Sequence, residues 1–137
     1  MDISDSNIRT IDDAKREMIN NVENYDKGPS VNSFVINTDD DRIVAWITPD
    51  KRTSYKDSID AAEFMGIDTV TAIFEGKQIS IPTQTAKTAL IKIQLYADQC
   101  FIVTEMHKAA IMALDNIQDV DNYDYTVGYP ERLTFVL

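Results

Sequence analysis

The chain has 137 residues, of which 23 are acidic and 13 are Lys or Arg, so its formal charge is −10. This length suits one domain, and the acidic balance argues against a binder of nucleic acid or anionic membranes, because phosphate contacts need clustered Lys and Arg. The single Cys excludes a disulfide framework, and the single His excludes any site that needs two imidazoles.

The N-terminal part of the chain predicts one helix. Thr10, followed three residues later by an acid, has the form of a helix N-cap. The next apolar residues recur at helical spacing, so we expect a helix over about residues 10–23. Gly28-Pro29 breaks any helix, and we therefore separate an N-terminal helical segment, residues 1–31, from a single α+β domain over residues 32–137.

The middle of the chain predicts strands, a second helix and a hairpin. Four segments have the apolar patterns of β-strands: residues 33–37, 43–47, 69–74 and 77–81. Thr48-Pro49 predicts the start of a helix, which Gly66 would end as a C′ glycine. Glu75-Gly76 lies between two alternating segments and predicts a β-hairpin.

A long helix is the strongest prediction, since no Gly or Pro interrupts residues 83–116. Apolar or small residues step through it by alternating three and four positions: Leu90, Ile93, Ala97, Cys100, Thr104, His107, Ile111 and Leu114. Further residues widen the apolar stripe: Ile91, Leu95, Tyr96, Phe101, Val103, Ala110 and Met112. The helix is therefore expected either to lie under a small sheet or to be buried on two sides, one of them by another chain.

These elements together predict an α+β fold. We expect a small antiparallel sheet packed on the long helix, with the N-terminal helix and short flanking helices around it. A short helix is expected after Asn116. The apolar segment Leu133–Leu137 is expected to be a strand that either pairs within its own sheet or is donated to the edge of a neighbouring subunit.

No residue pattern in the chain favours catalysis. Cys100 and His107 are about 10 Å apart along their helix, too far for a thiolate–imidazole pair, so we expect a buried Cys and a hydrogen-bonded His. The run Asp39–Asp41 is expected to be a solvated turn, and the aspartates at 119, 121 and 124 fail the calcium-loop pattern because Pro130 holds its twelfth position. We therefore predict a non-enzymatic protein with no catalytic residue, no metal site and no cofactor.

Candidate contact surfaces are more numerous. The candidate partner interface consists of apolar and aromatic residues near the C-terminus together with the tryptophan: Phe135, Val136, Leu137, Tyr129, Tyr125 and Trp46.

The charge of the chain is concentrated at its two ends. Residues 1–41 carry 10 acidic and 4 basic residues, and residues 115–137 carry 5 acidic residues and 1 basic residue. These acidic ends either maintain solubility or dock onto a basic partner. No basic residues interleave the tyrosines and no apolar run reaches about 20 residues, so we expect neither nucleic acid nor a membrane as partner.

An ordered set of short motifs runs from about residue 32 to residue 130. Its members are Phe34 in a strand, Trp46, an Arg-x-Ser step at Arg52 and Ser54, the hairpin, Cys100 in the long helix, the Lys108–Ile111 segment, Tyr123-Asp124 and Gly128-Tyr129-Pro130. The set resembles an uncharacterised phage domain family found in tail and tail-fibre-associated proteins. The closing aromatic is Tyr where that family more commonly has Trp, and the N-terminal helix and residues 131–137 lie outside the shared region.

The resemblance implies a structural or adaptor subunit of a tailed-phage particle, in the tail, neck or fibre-attachment region. Its partners would be other phage structural proteins, in a homo- or hetero-oligomer assembled in the host bacterial cytoplasm and located in the virion. The alternative is a tail-fibre assembly chaperone that is absent from the mature particle. A third interpretation, a small acidic mimic of nucleic acid, is disfavoured because residues 42–114 carry 8 acidic and 8 basic residues. The resemblance supplies no catalytic residues.

Overall fold

The computed structural model describes residues 8–137, and over this range it has an α+β fold, as the sequence predicts. The helices are α1 (Ile11–Lys27), α2 (Pro49–Phe64), α3 (Thr83–Met112) and α4 (Ile117–Asp121). The strands are β1 (Phe34–Asn37), β2 (Arg42–Ala45), β3 (Thr69–Phe74), β4 (Lys77–Pro82) and β5 (Thr134–Val136). None of the helices formed by residues 8–137 combines the length and the apolar character needed to cross a membrane.

Local sequence signals determine several of the element boundaries. The Thr10 hydroxyl accepts a hydrogen bond from the Asp13 backbone N–H at 3.1 Å, and the Asp13 carboxylate accepts one from the Thr10 N–H at 3.1 Å. This capping box satisfies two donors at the start of α1. Gly66 follows α2 with φ +70°, and Glu75 and Gly76 both have positive φ in the turn between β3 and β4. The predicted helix start, C′ glycine and hairpin are therefore confirmed.

The strands differ from the predicted single antiparallel sheet in two details. They form two sheets, one of three strands in the order β2-β1-β5 and one consisting of the β3-β4 hairpin. In the first sheet β1 is antiparallel to β2 but parallel to β5, with Ile36 opposite Phe135. A parallel neighbour requires a long crossover, and the chain from β2 through α4 supplies it. Local alternation in the sequence reveals hairpin pairs but not a pairing of this range.

The chain divides into two compact units, which differs from the predicted domain division. Unit 1 combines the N-terminal segment up to Val31 with residues 99–129, and unit 2 combines residues 32–98 with residues 130–137. The boundary after residue 31 coincides with the predicted one, but residues 99–129 group with the N-terminal segment instead of with residues 32–98. The reason is that the boundary at 98/99 falls inside the uninterrupted helix α3, where composition gives no signal.

Unit 1 is built on the contact between α1 and α4 and the second half of α3. Four of its fully buried residues form one cluster: Ala14, Val22, Ile111 and Val120. Half-buried apolar and aromatic residues surround this cluster, among them Met18, Leu114 and Tyr123. The helical spacing of the apolar residues in α1 places them on the face that joins this core.

Unit 2 has a separate core centred on Phe34. The buried residues of this core are Phe34, Ile36, Ile43, Ile47, Ile79 and Ile93. The Phe34 ring makes edge-to-face contacts with Phe74 at 6.0 Å and with Phe135 at 5.7 Å between ring centroids. Strands β1, β3 and β5 therefore contribute aromatic rings to one cluster, and aromatic pairs of this geometry add to the stabilisation that burial gives.

We expect Ile111→Ala to destabilise unit 1 by about 2–5 kcal/mol, because it leaves a cavity among fully buried residues. The matched control is the next residue, Met112, which is 57% exposed and should change stability by less than about 0.5 kcal/mol on Met112→Ala. Urea unfolding followed by far-ultraviolet circular dichroism measures both. Equal losses for the two variants would show that the buried and exposed faces of α3 are assigned incorrectly.

Candidate functional site

The six residues of the predicted partner interface are divided between the two units. Tyr125 and Tyr129 belong to unit 1, whereas Trp46 and the C-terminal residues Phe135 to Leu137 belong to unit 2.

The two tyrosines of unit 1 are packing residues. The Tyr129 hydroxyl lies 2.7 Å from the Thr104 hydroxyl, which donates its proton to Asp26 at 2.9 Å, so Tyr129 is the donor to Thr104. The Tyr25 ring lies 5.7 Å from the Tyr129 ring and 5.5 Å from the Tyr125 ring. Burial raises the pKa of Tyr129 above its ordinary value. The closing Gly-Tyr-Pro motif is thus held against α1 and α3 by its aromatic ring and hydroxyl.

His107 is a buried residue of unit 1, and both of its ring nitrogens are hydrogen-bonded. Nε2 lies 2.7 Å from the Val127 carbonyl oxygen and Nδ1 lies 2.6 Å from the Tyr123 hydroxyl. A carbonyl only accepts, so Nε2 carries the proton and, in the neutral imidazole, Nδ1 accepts from the tyrosine. The sequence prediction of a hydrogen-bonded His and a buried Cys100 is confirmed. Within residues 8–137, no group of His, Cys, Asp and Glu has the arrangement of a metal site.

Trp46 of unit 2 belongs to a buried cation site built on the Arg-x-Ser motif. The Arg52 guanidinium lies 5.6 Å from the Trp46 ring centre and donates hydrogen bonds to the Ile47 carbonyl at 2.7 Å and to Gln94 Oε1 at 2.8 Å. Gln94 in turn donates to Asp98 at 2.9 Å. Burial lowers the pKa of Arg52 from its ordinary value. These contacts connect the start of α2 to the first half of α3, so the motif has a structural explanation.

Strand β5 is paired within its own sheet, which is the first of the two alternatives that its sequence allows. The Leu137 N–H donates to the Asn37 carbonyl at 2.9 Å, and the Phe135 ring packs on Phe34. Val136 is exposed on the opposite face. Because β5 has a partner only on the β1 side among the described strands, its other edge has unpaired backbone groups.

The clearest unburied apolar surface in unit 1 is on α3. We call it the outer face, formed by Phe101, Ile102, Met106, Ala109 and Met112. Phe101, Ile102 and Met106 are 63%, 56% and 65% exposed. Single exposed apolar residues are ordinary, but these residues lie on successive turns of one helix opposite the buried seam of His107 and Ile111. Of these five residues, the widened apolar stripe predicted from the sequence contained Phe101 and Met112. In unit 2, Ile91 and Leu95 of the same helix are also exposed.

Unit 2 contains an apolar cavity of about 490 Å³ that no sequence pattern predicted. It is lined by side chains from α2, from the first half of α3 and from strands of both sheets. The lining residues recur at the spacings of core positions, and a core position that faces a space cannot be distinguished by sequence from one that faces another side chain.

No protein-family model, no curated protein and no solved structure matches this chain. The resemblance to the phage tail family therefore remains a prediction from the order of the motifs.

Replacement of Tyr123 by Phe is expected to destabilise unit 1 by about 1–3 kcal/mol. The reason is that the part-buried His107 Nδ1 loses the hydrogen bond that the Tyr123 hydroxyl donates to it. Tyr125→Phe is the matched control, since the Tyr125 hydroxyl makes no hydrogen bond within the described residues and its ring contact with Tyr25 is retained. Urea denaturation of both variants gives the comparison. An equal loss of stability for Tyr125→Phe would mean that the hydrogen bond between the Tyr123 hydroxyl and His107 does not explain the destabilisation by Tyr123→Phe.

Stability should fall as the solution is acidified below about pH 4, the ordinary range of Asp. The hydrogen bonds from Thr10 lower the pKa of Asp13, and those from Thr126 lower the pKa of Asp124. A carboxyl whose pKa is lower in the folded state stabilises it above the unfolded pKa, and this contribution is lost as the pH falls through the folded pKa. Urea midpoints measured from pH 7 to pH 2 should therefore depend less on pH in Asp13→Asn than in Asp12→Asn, whose carboxylate makes no hydrogen bond in the described residues.

Proposed function

We propose that this protein is a non-enzymatic structural or adaptor subunit of a tailed-phage particle that binds another protein of the particle through the outer face of α3. The observation that carries the proposal is the set of large apolar side chains, Phe101, Ile102 and Met106, which are more than half exposed on adjacent turns. The order of motifs along residues 32–130 supports a place in the tail, neck or fibre-attachment region.

Burial of this face by a partner supplies a driving force for association. Transfer of apolar surface out of water contributes about 25 cal/mol per Å². Three residues of this size at the centre of a contact are sufficient to act as anchors, because a few desolvated side chains carry most of the energy of an interface. The ridge formed by Ile102, Met106 and Ala109 follows the spacing by which a helix packs against a second helix.

The charge of unit 1 defines the chemistry of the partner. Residues 1–31 and 99–129 together contain 12 acidic and 5 basic residues. On α3 itself, Glu105 lies among the apolar residues of the outer face, and its carboxylate is 3.3 Å from the Lys108 ammonium. A complementary surface is therefore an amphipathic helix with an apolar ridge flanked by Lys or Arg, whose charges would also accelerate association.

Quantitative mass spectrometry of purified phage particles tests the place of the protein. We expect it at a fixed ratio to the portal or tail proteins, and the ratio would indicate the symmetry of its site. Its presence in the infected-cell lysate but not in the particles would overturn the proposal and favour the assembly chaperone.

A pair of variants tests the outer face. Ile102→Glu combined with Met106→Glu places two charges on an exposed ridge, so the isolated protein should fold normally while its incorporation into particles falls at least tenfold. The matched control is Asn20→Glu combined with Asn24→Glu, which places the same two charges at the same spacing on the exposed side of α1. Incorporation of both double variants at the wild-type ratio would show that the outer face is not the binding surface.

A further inference from the structure

The apolar cavity of unit 2 has the size of a ligand site. Its volume of about 490 Å³ lies within the range of roughly 300–1,000 Å³ that is typical of small-molecule pockets, and it is open to solvent on one side. Large side chains from four elements and both sheets form its walls: Tyr55, Ile59, Phe74, Leu90, Ile93 and Phe135. These walls favour an apolar occupant.

The lining is unusual in its charge. None of the described residues that line the cavity is Asp or Glu, although the chain has 23 acidic residues, and Lys92 has the one charged side chain in the lining. Lys92 is exposed, so its ammonium lies at the solvent side of the lining. Lys56, Lys77 and Lys87 of the same unit are paired with carboxylates within 3.1 Å, but no ion pair or hydrogen bond engages the Lys92 ammonium in residues 8–137.

We propose that this cavity binds one fatty acid, with the alkyl chain among the apolar walls and the carboxylate at the Lys92 ammonium. An unbranched alkyl chain has no polar atoms that need partners inside the cavity. A bound peptide segment would bring backbone N–H and C=O groups into apolar surroundings, where unpaired polar groups are costly. The lining has one ammonium and no guanidinium, so it matches a singly charged carboxylate better than a phosphate group, which requires several donors.

Titration of the delipidated full-length chain with saturated fatty acids from octanoate to hexadecanoate tests this assignment, with isothermal calorimetry as the readout. We expect one site per chain and an affinity that rises about fourfold for each added methylene until the cavity is filled. The absence of saturable binding at every chain length would overturn the proposal, and this result does not depend on any variant.

Two matched pairs of variants locate the site. Lys92→Gln should weaken hexadecanoate binding about tenfold and leave hexadecanol binding unchanged, whereas Lys51→Gln, an exposed lysine outside the lining, should change neither. Ala89→Trp fills the cavity and should abolish binding, whereas Ala61→Trp places the same ring on the exposed side of α2. Unchanged binding in correctly folded Ala89→Trp would show that the ligand lies elsewhere.

Sedimentation equilibrium of the delipidated chain tests a different occupant of the cavity, a second copy of the chain. A monomer that binds the fatty acid is the expected result. A dimer that Ala89→Trp converts to a monomer would show that a second copy of the chain fills the cavity, and the fatty-acid assignment would then be wrong.

Discussion

The burial of one continuous seam of α3 is the constraint on which both compact units depend. Ile93 of this helix joins the core of unit 2, and Ile111 joins the core of unit 1. Neither core is complete without its share of the helix, because Ile93 and Ile111 are themselves among the buried residues of the two clusters. The seam residues are therefore constrained by packing, whereas the exposed residues on the opposite side of the helix are not.

Much of this architecture could be predicted from the sequence, because interactions between neighbouring residues determine it. The capping box at Thr10, the left-handed Gly66 and the Glu75-Gly76 turn each require only a few neighbouring residues, and each was predictable. The pairing of β1 with β5 and the division at residue 98 depend on which distant segments meet, which periodicity does not encode. The internal contacts of the candidate interface residues were also not predictable: Tyr125, Tyr129 and Trp46 each make ring contacts within their own unit, with residues that are distant in the sequence.

The polar residues that attract attention in the sequence have partners within the protein. His107, Tyr129 and Arg52 are each held by two or more hydrogen bonds or ring contacts within their own unit. Buried polar groups with complete sets of partners make one packing arrangement more favourable than its alternatives. The outer face of α3 and the cavity of unit 2 are the largest apolar surfaces without a partner among residues 8–137, and this is why binding is the function that the geometry supports best.

The parallel pairing of β5 with β1 also has a consequence for how the protein folds. The hairpin β3-β4 and the pair β1-β2 join neighbouring segments and can form within microseconds, but β5 has to find β1 across α2, the hairpin, α3 and α4. Contacts between such distant segments are the slow step in folding because chain entropy is lost before they stabilise anything. Until β5 docks, the edge of β1 that it covers is open and the ring of Phe34 lacks Phe135. Until then β1 offers an unpaired edge to any other extended chain. Strand exchange between molecules is therefore possible only before β5 pairs with β1.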